Sequence, residues 1–175
     1  MPMSTVAQRA ARIKLLVLDI DGVLTDGRVI YDSQGREIKL FDVTDGHGLR
    51  LLQRAGVEII WLSGRESEVN RIRAKELGIS EIHEDAKIKL PVLEKILAGH
   101  KLDAEQVAYM GDDLIDLPAM RAVGLALAPA SARPQVKAEA HWVARRPGGR
   151  GAVRDACELL LRSSGAWDEV TARYF

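Results

Sequence analysis

A single cysteine, Cys157, stands among 175 residues, which excludes an intrachain disulfide and leaves no set of thiolates to hold a metal. Its neighbours Val153, Ala156, Leu160 and Leu161 have the spacing of one apolar helix face, so Cys157 reads as a buried structural thiol. Aromatic residues are scarce at 5%, and no basic run interleaves with them, so nothing points to a nucleic-acid surface; Arg145-Arg146 is too short to change that. Charge of either sign is not in excess, with 25 Lys and Arg against 25 Asp and Glu. No apolar run approaches the roughly 20 residues that span a bilayer. Residues 1–12 are polar and alanine-rich and lack a signal-peptide core, so a cytoplasmic location is expected. The four histidines lack metal-ligand spacing, and only His47, between two glycines, reads as near a ligand.

What is present is a regular alternation of short apolar runs with helical patterns. At 47% hydrophobic and 29% charged, the chain can bury one core, and a single domain over residues 1–175 is expected. The pattern predicts an α/β fold: a doubly wound, mainly parallel sheet with helices on both faces and ligands at the strands' carboxyl ends.

Acidic and hydroxyl residues collect at those ends. The run Ile13-Lys14-Leu15-Leu16-Val17-Leu18 leads into Asp19-Ile20-Asp21-Gly22. Two carboxylates two residues apart can hold a hard divalent cation while one attacks an electrophile. A phosphomonoester dianion repels a carboxylate nucleophile, so attack by Asp19 needs a cation such as Mg²⁺; Asp21 could protonate the departing alkoxide and later deprotonate water. An EF-hand is disfavoured, because Ile30 stands where its closing glutamate would be. Val57-Glu58-Ile59-Ile60-Trp61-Leu62 ends in Ser63-Gly64-Arg65, with Glu66 and Glu68 opening a helix, so the Ser63 hydroxyl and neighbouring amides can donate to phosphoryl oxygens. Val107-Ala108-Tyr109-Met110 runs into Gly111-Asp112-Asp113-Leu114-Ile115-Asp116, which offers Asp112 as a further metal ligand and Asp113 or Asp116 as its support. Lys89 opens a helical pattern at Leu90, Leu93, Ile96 and Leu97, where the helix dipole disfavours a cation, so an anionic partner is expected there.

Asp19, Asp21, Ser63, Lys89 and Asp112, in this order and each after a strand, resemble the four motifs of the haloacid dehalogenase superfamily, in its capless subclass. Over nearly the whole chain the strings Asp19 to Gly27, Asp45-Gly46-His47-Gly48, Ser63-Gly64-Arg65, residues 111–116 and Gly148-Gly149-Arg150-Gly151-Ala152-Val153-Arg154 are similar to the phosphatases of 3-deoxy-D-manno-octulosonate 8-phosphate, which serve lipopolysaccharide inner-core synthesis. That resemblance implies Asp19 as nucleophile and Mg²⁺ ligand, with Mn²⁺ or Co²⁺ as substitutes in vitro. It implies Asp21 as acid–base group and ligand through its carbonyl, Asp112 as a further ligand, and Ser63 and Lys89 as the phosphoryl clamp. Asp42, Val43, Thr44, Asp45, Gly46, Arg50, Gly64, Arg65 and Arg73 match positions that contact a sugar-acid phosphate or surround the active site. Two departures stand out. His83-Glu84-Asp85-Ala86 replaces a common Gln-Gly pair, leaving Lys87 as a rival to the favoured Lys89, and Asp42 stands where asparagine is common.

Between the first two motifs only a hairpin, about residues 28–41, could serve as a cap: Val29-Ile30-Tyr31, a turn at Asp32-Ser33-Gln34-Gly35, then Glu37-Ile38-Lys39-Leu40-Phe41. Such a hairpin is poorly stable alone, and the resemblance implies a homotetramer whose hairpins pack together. Residues 163–175 read as a mobile tail. Phosphatases of nine-carbon 2-keto-3-deoxy sugar acid 9-phosphates, a phospho-accepting receiver and a non-catalytic assembly module are the alternatives; a receiver's acceptor aspartate would end a mid-chain strand rather than the first.

Overall fold

The computed structural model describes residues 5–175, so the first four residues of the N-terminal segment lie outside it. In chain order the strands are β1 (Leu15–Leu18), β2 (Ile30–Tyr31), β3 (Glu37–Ile38), β4 (Glu58–Leu62), β5 (Glu81–His83), β6 (Val107–Met110), β7 (Leu125–Ala128) and β8 (Trp142–Val143). The helices are α1 (Val6–Ala10), α2 (Val43–Arg54), α3 (Glu68–Glu76), α4 (Lys89–His100), α5 (Leu117–Arg121), α6 (Pro134–Glu139), α7 (Ala152–Ser164) and α8 (Trp167–Thr171). Six strands make one sheet in the order β5-β4-β1-β6-β7-β8, and every pairing in it is parallel. The expected α/β architecture is what the chain adopts.

A parallel sheet is covered on both faces, which is why its strands are apolar without alternation. Leu16 and Leu18 of β1 enter one core with Ala10, Leu52 and Cys157 of α1, α2 and α7. Leu15 and Val17, one residue out of phase, enter the other with Leu93, Met120 and Val136 of α4, α5 and α6. Cys157 is fully buried, and burial pushes its thiol pKa up, as a structural thiol requires.

The strand order places β1 centrally, between β4 and β6, so the residues that follow these three strands converge on one edge of the sheet. The Gly148-Gly149 turn closes that edge from below: the Gly149 amide donates to Val23 O at 3.0 Å, and Gly148 donates to Ser131 Oγ at 3.0 Å.

The helix that follows Ser63, α3, begins at Glu68 and its N-cap residue, Ser67, makes no side-chain cap bond. Ser67 precedes α3 but its hydroxyl bonds Glu37 instead. Glu84 takes the capping role from the end of β5: its Oε1 accepts from the Ser67 amide at 2.9 Å and from Asn70 Nδ2 at 3.0 Å, while Oε2 pairs with Arg71 at 2.6 Å. Asp85 beside it has φ +54, the left-handed conformation that favours glycine. The unusual loop therefore anchors α3.

The hairpin is shorter than the sequence suggests, with Ile30 opposite Ile38 and Tyr31 opposite Glu37. Glu37 and Lys39 turn inward to charged partners, whereas Ile38 and Leu40 are 43% and 61% exposed; Val29 and Tyr31 add further exposed apolar surface. The C-terminal residues are ordered, which corrects the expectation of a mobile tail. Gly165 ends α7 in a left-handed turn, α8 buries Val170 and Thr171, Arg162 stacks over Trp167 at 4.0 Å, and Tyr174 bonds His47 and Arg54 on α2.

Candidate active site

Asp19 is the first residue after β1, Ser63 the first after β4, and Asp112 the second after β6, while Lys89 is the first residue of α4. With Asp21, Gly27, Gly64, Arg65, Asp113 and Ile115 they line one open cleft of about 310 Å³ at the carboxyl edge of the sheet. Lys89 is 2% exposed, and its ammonium lies 2.6 Å from Asp19 Oδ1 and 2.6 Å from Asp116 Oδ1. Burial opposes the charge on Lys89, yet its pKa is raised because two carboxylates face it. Lys87 instead stays at the surface, donating to Gly64 O at 2.8 Å, so Lys89 is the lysine of the cleft.

Asp19, Asp112 and Asp116 each offer a carboxylate oxygen within 4.8 Å of the others. Asp116 is already fully engaged: Oδ1 accepts from Lys89 and from the Tyr109 hydroxyl at 2.7 Å, and Oδ2 accepts from the amides of Asp112 and Asp113 at 3.0 and 3.2 Å. Burial pushes the Asp112 pKa up to about 8, with the charges of Asp19 and Asp116 adding to it. Burial likewise raises Asp19 to about 6, against the lowering effect of Lys89. Two crowded, oxygen-only groups with an open side fit a hard divalent cation, which would take the place of the proton. Gly22 makes that crowding possible, because a Cβ there would sit 2.0 Å from Asp112 Oδ2.

The Asp21 carboxylate points elsewhere. Its Oδ1 lies 2.7 Å from Lys39 Nζ and its Oδ2 3.5 Å from Arg65. Arg65 in turn pairs with Glu37 at 2.7 Å. The Ser63 amide donates to His83 O at 2.8 Å, and its Oγ accepts from the Arg65 amide at 3.1 Å.

Residues 59–153, which carry Ser63, Lys89 and Asp112 of this cleft, match a family model described as haloacid dehalogenase-like hydrolase. The chain belongs to that family. This haloacid dehalogenase-like hydrolase is 45% identical over 156 residues to the 3-deoxy-D-manno-octulosonate 8-phosphate phosphatase of Yersinia pestis, covering 89% of this chain and 83% of the relative. Among solved structures, the Moraxella catarrhalis 3-deoxy-D-manno-octulosonate 8-phosphate phosphatase, in complex with magnesium ion, phosphate ion and KDO, is similar at a TM-score of 0.95 and 38% identity, over 97% of this chain and 98% of that one. The cobalt-bound form of the deoxy-D-mannose-octulosonate 8-phosphate phosphatase from Haemophilus influenzae is similar at a TM-score of 0.89 and 38% identity, over 95% of this chain and 98% of that one.

The remaining sequence candidates of this haloacid dehalogenase-like hydrolase lie outside its own cleft. Asp42 caps α2, accepting from the Thr44 amide and hydroxyl, both at 2.6 Å, and Val43 is exposed. Asp45 is buried and accepts from the amides of Gly151 and Arg154 at 3.3 and 2.7 Å, tying α2 to α7; burial raises its pKa to about 6. Gly46 gives room to Arg73, whose guanidinium also lies over Phe41. Arg50 donates to Glu76 O at 2.8 Å, and His47 meets Tyr174 and Arg154. Sequence reasoning missed Glu37, Lys39 and Tyr109. Tyr109 carries a signal, a hydroxyl inside an otherwise apolar strand that must find an acceptor. Glu37 and Lys39 carry a fainter one, two charges at spacing two on a hairpin strand.

Proposed function

We propose that this chain is a Mg²⁺-dependent phosphatase that hydrolyses 3-deoxy-D-manno-octulosonate 8-phosphate to 3-deoxy-D-manno-octulosonate and phosphate, within lipopolysaccharide inner-core synthesis. The observation that carries the reading is the Asp19 carboxylate held 2.6 Å from the buried Lys89 beside Asp112, in a chain similar throughout to phosphatases of that name.

Asp19 and Asp112, with the backbone carbonyl of Asp21, would hold the Mg²⁺, which supplies neutralisation of the phosphoryl charge and alignment for attack. Asp19 attacks phosphorus while Asp21 gives its proton to the departing sugar oxygen, leaving an aspartyl phosphate on Asp19. Water then loses a proton to Asp21 and attacks the same phosphorus, which frees phosphate and restores the Asp19 carboxylate. Ser63 and Lys89 bind the phosphoryl oxygens, and Lys89 offsets charge as it develops. Gly64 and Arg65 stand at the cleft entrance, where a guanidinium suits the sugar-acid carboxylate.

The whole chain, residues 1–175, acts as one catalytic domain without a large cap, in the cytoplasm. We infer a homotetramer, supported by the exposed apolar side chains of the hairpin, Val29, Tyr31, Ile38 and Leu40. Substrate contacts at positions 42–46, 50 and 73 rest on the resemblance alone. The test is phosphate release from the eight-carbon substrate, its nine-carbon homologues and hexose phosphates, each with Mg²⁺ and with chelator. A Mg²⁺-dependent preference for the eight-carbon acid is expected, preference for a nine-carbon acid moves the substrate assignment, and no turnover with any of them overturns the reading.

A further inference from the structure

We propose that Lys39, on the hairpin, is a positioning residue that fixes the carboxylate of Asp21 for proton transfer. The inference rests on the reading of Asp21 as the acid–base group.

Lys39 belongs to a projecting hairpin, where a lysine would ordinarily reach into water. Its side chain is instead 2% exposed, with the ammonium 2.7 Å from Asp21 Oδ1. Among the described residues Asp21 is the one carboxylate within ion-pair distance of it. Enclosing an ammonium is costly unless it is paired, so the pair fixes where both groups sit. Arg65 approaches the other oxygen of Asp21 at 3.5 Å from the loop after β4, and Glu37 pins Arg65 at 2.7 Å. Glu37 lies on β3 and Lys39 one residue past its end, and both side chains turn to the same Asp21–Arg65 pair. The hairpin thus grips the carboxylate directly through Lys39 and indirectly through Glu37 and Arg65.

Lys39 does not line the cleft, whereas Asp21 and Arg65 do. Its influence on the reaction therefore passes through Asp21. Asp19 and Asp112 lie two residues away and across the cleft, where they would gather a cation. A carboxylate released from Lys39 is free to turn toward that cation and leave the position from which it reaches the sugar oxygen. The consequence is a fall in kcat with little change in KM, because binding of the phosphoryl group by Ser63 and Lys89 is untouched.

The test uses the full chain with Mg²⁺ and 3-deoxy-D-manno-octulosonate 8-phosphate, comparing Lys39→Met, Lys39→Arg, Asp21→Asn and the Lys39→Met/Asp21→Asn double variant. A misplacement of about 1 Å costs on the order of 100-fold, so Lys39→Met is expected to lose about 10- to 100-fold in kcat with KM within about threefold. Lys39→Arg, which keeps the charge, recovers most of that loss. The double variant is no slower than Asp21→Asn, since groups acting as a unit are not additive. Should the methionine variant fail to fold, Lys39→Gln takes its place. Lys39→Met with kcat within about twofold of the parent overturns the proposal while a slow Asp21→Asn leaves the function reading standing, and so does a double variant slower than Asp21→Asn by the full Lys39→Met factor. Normal turnover in Asp21→Asn overturns the role of Asp21, and the proposal with it.

Discussion

Gly148 is where a single added methyl group should be felt both as lost stability and as lost turnover. A Cβ at Gly148 would lie 1.8 Å from Gly22 O, 2.6 Å from Gly22 C and 2.9 Å from Thr25 O, all of them backbone atoms. Taking 3.4 Å as ordinary contact, 3.4 less 1.8 leaves about 1.6 Å for the two segments to separate. No flexible side chain is there to yield, so the cost of Gly148→Ala falls at the upper end of the roughly 1–3 kcal/mol seen for overpacked sites. For a chain of this size each 1 kcal/mol lowers Tm by about 2–4 °C, which places the expected drop at roughly 6–12 °C. The segment that must move begins one residue after Asp21. A displacement above 1 Å at an acid–base group is worth on the order of 100-fold in rate, so kcat should fall by about that factor even in the folded fraction. Circular dichroism melts and phosphate-release kinetics check both numbers. Gly99→Ala is the matched control: nothing lies within 4 Å of a Cβ there, and Gly99 sits on an exposed turn of α4. It should raise stability by about 0.5–1 kcal/mol. A Gly148→Ala protein that melts within about 2 °C of the parent and turns over within about twofold refutes the close-approach argument.

Asp19→Asn should lower turnover by several orders of magnitude while the far-ultraviolet spectrum is retained, and near-normal turnover would remove Asp19 as nucleophile. Asp116→Asn should destabilise the chelated protein by about 3–5 kcal/mol in urea unfolding, because an amide cannot accept from Lys89, Tyr109 and two backbone amides at once; a loss under about 1 kcal/mol would contradict it. His100 joins Glu58 at 2.7 Å and Glu81 at 2.8 Å, and the bond to Glu81 foremost raises its pKa above 6.5. A raised histidine stabilises fully below its unfolded value and less as pH climbs through its folded one, so His100→Gln should cost more stability at about pH 6 than at about pH 9. An equal cost at both would show that His100 acts by packing alone.

Sheet geometry made the cleft legible in the sequence. Apolar runs ending in Asp19, Ser63 and Asp112 announce parallel strands, and parallel strands bring their ends together. Lys89 was legible as a cation misplaced at a helix start, and the structure explains it by two carboxylates 2.6 Å away. The partner choices were not legible. Asp113 and Asp116 look equivalent in the sequence, but only Asp116 is one helical turn from Asp112 with a side chain reaching back under it, which makes it the hub for Lys89 and Tyr109. Glu84 reads as an acid near an anionic ligand and turns out to cap α3, because Ser67 is drawn away to Glu37. The tail reads as mobile because its apolar residues are few, yet Val170 and Trp167 find a surface on α2 and α7 that no local pattern reveals.

The hairpin segment of Glu37, Ile38, Lys39 and Leu40 has its character inverted relative to an ordinary surface strand: charge beneath, oil above. One peptide ribbon therefore serves two listeners. A neighbouring subunit of the proposed homotetramer that covered Ile38 and Leu40 would steady Lys39, since a two-stranded hairpin has little rigidity of its own. Dilution would then be a kinetic variable for the proposed homotetramer, with turnover per subunit expected to decline as the outer face is uncovered.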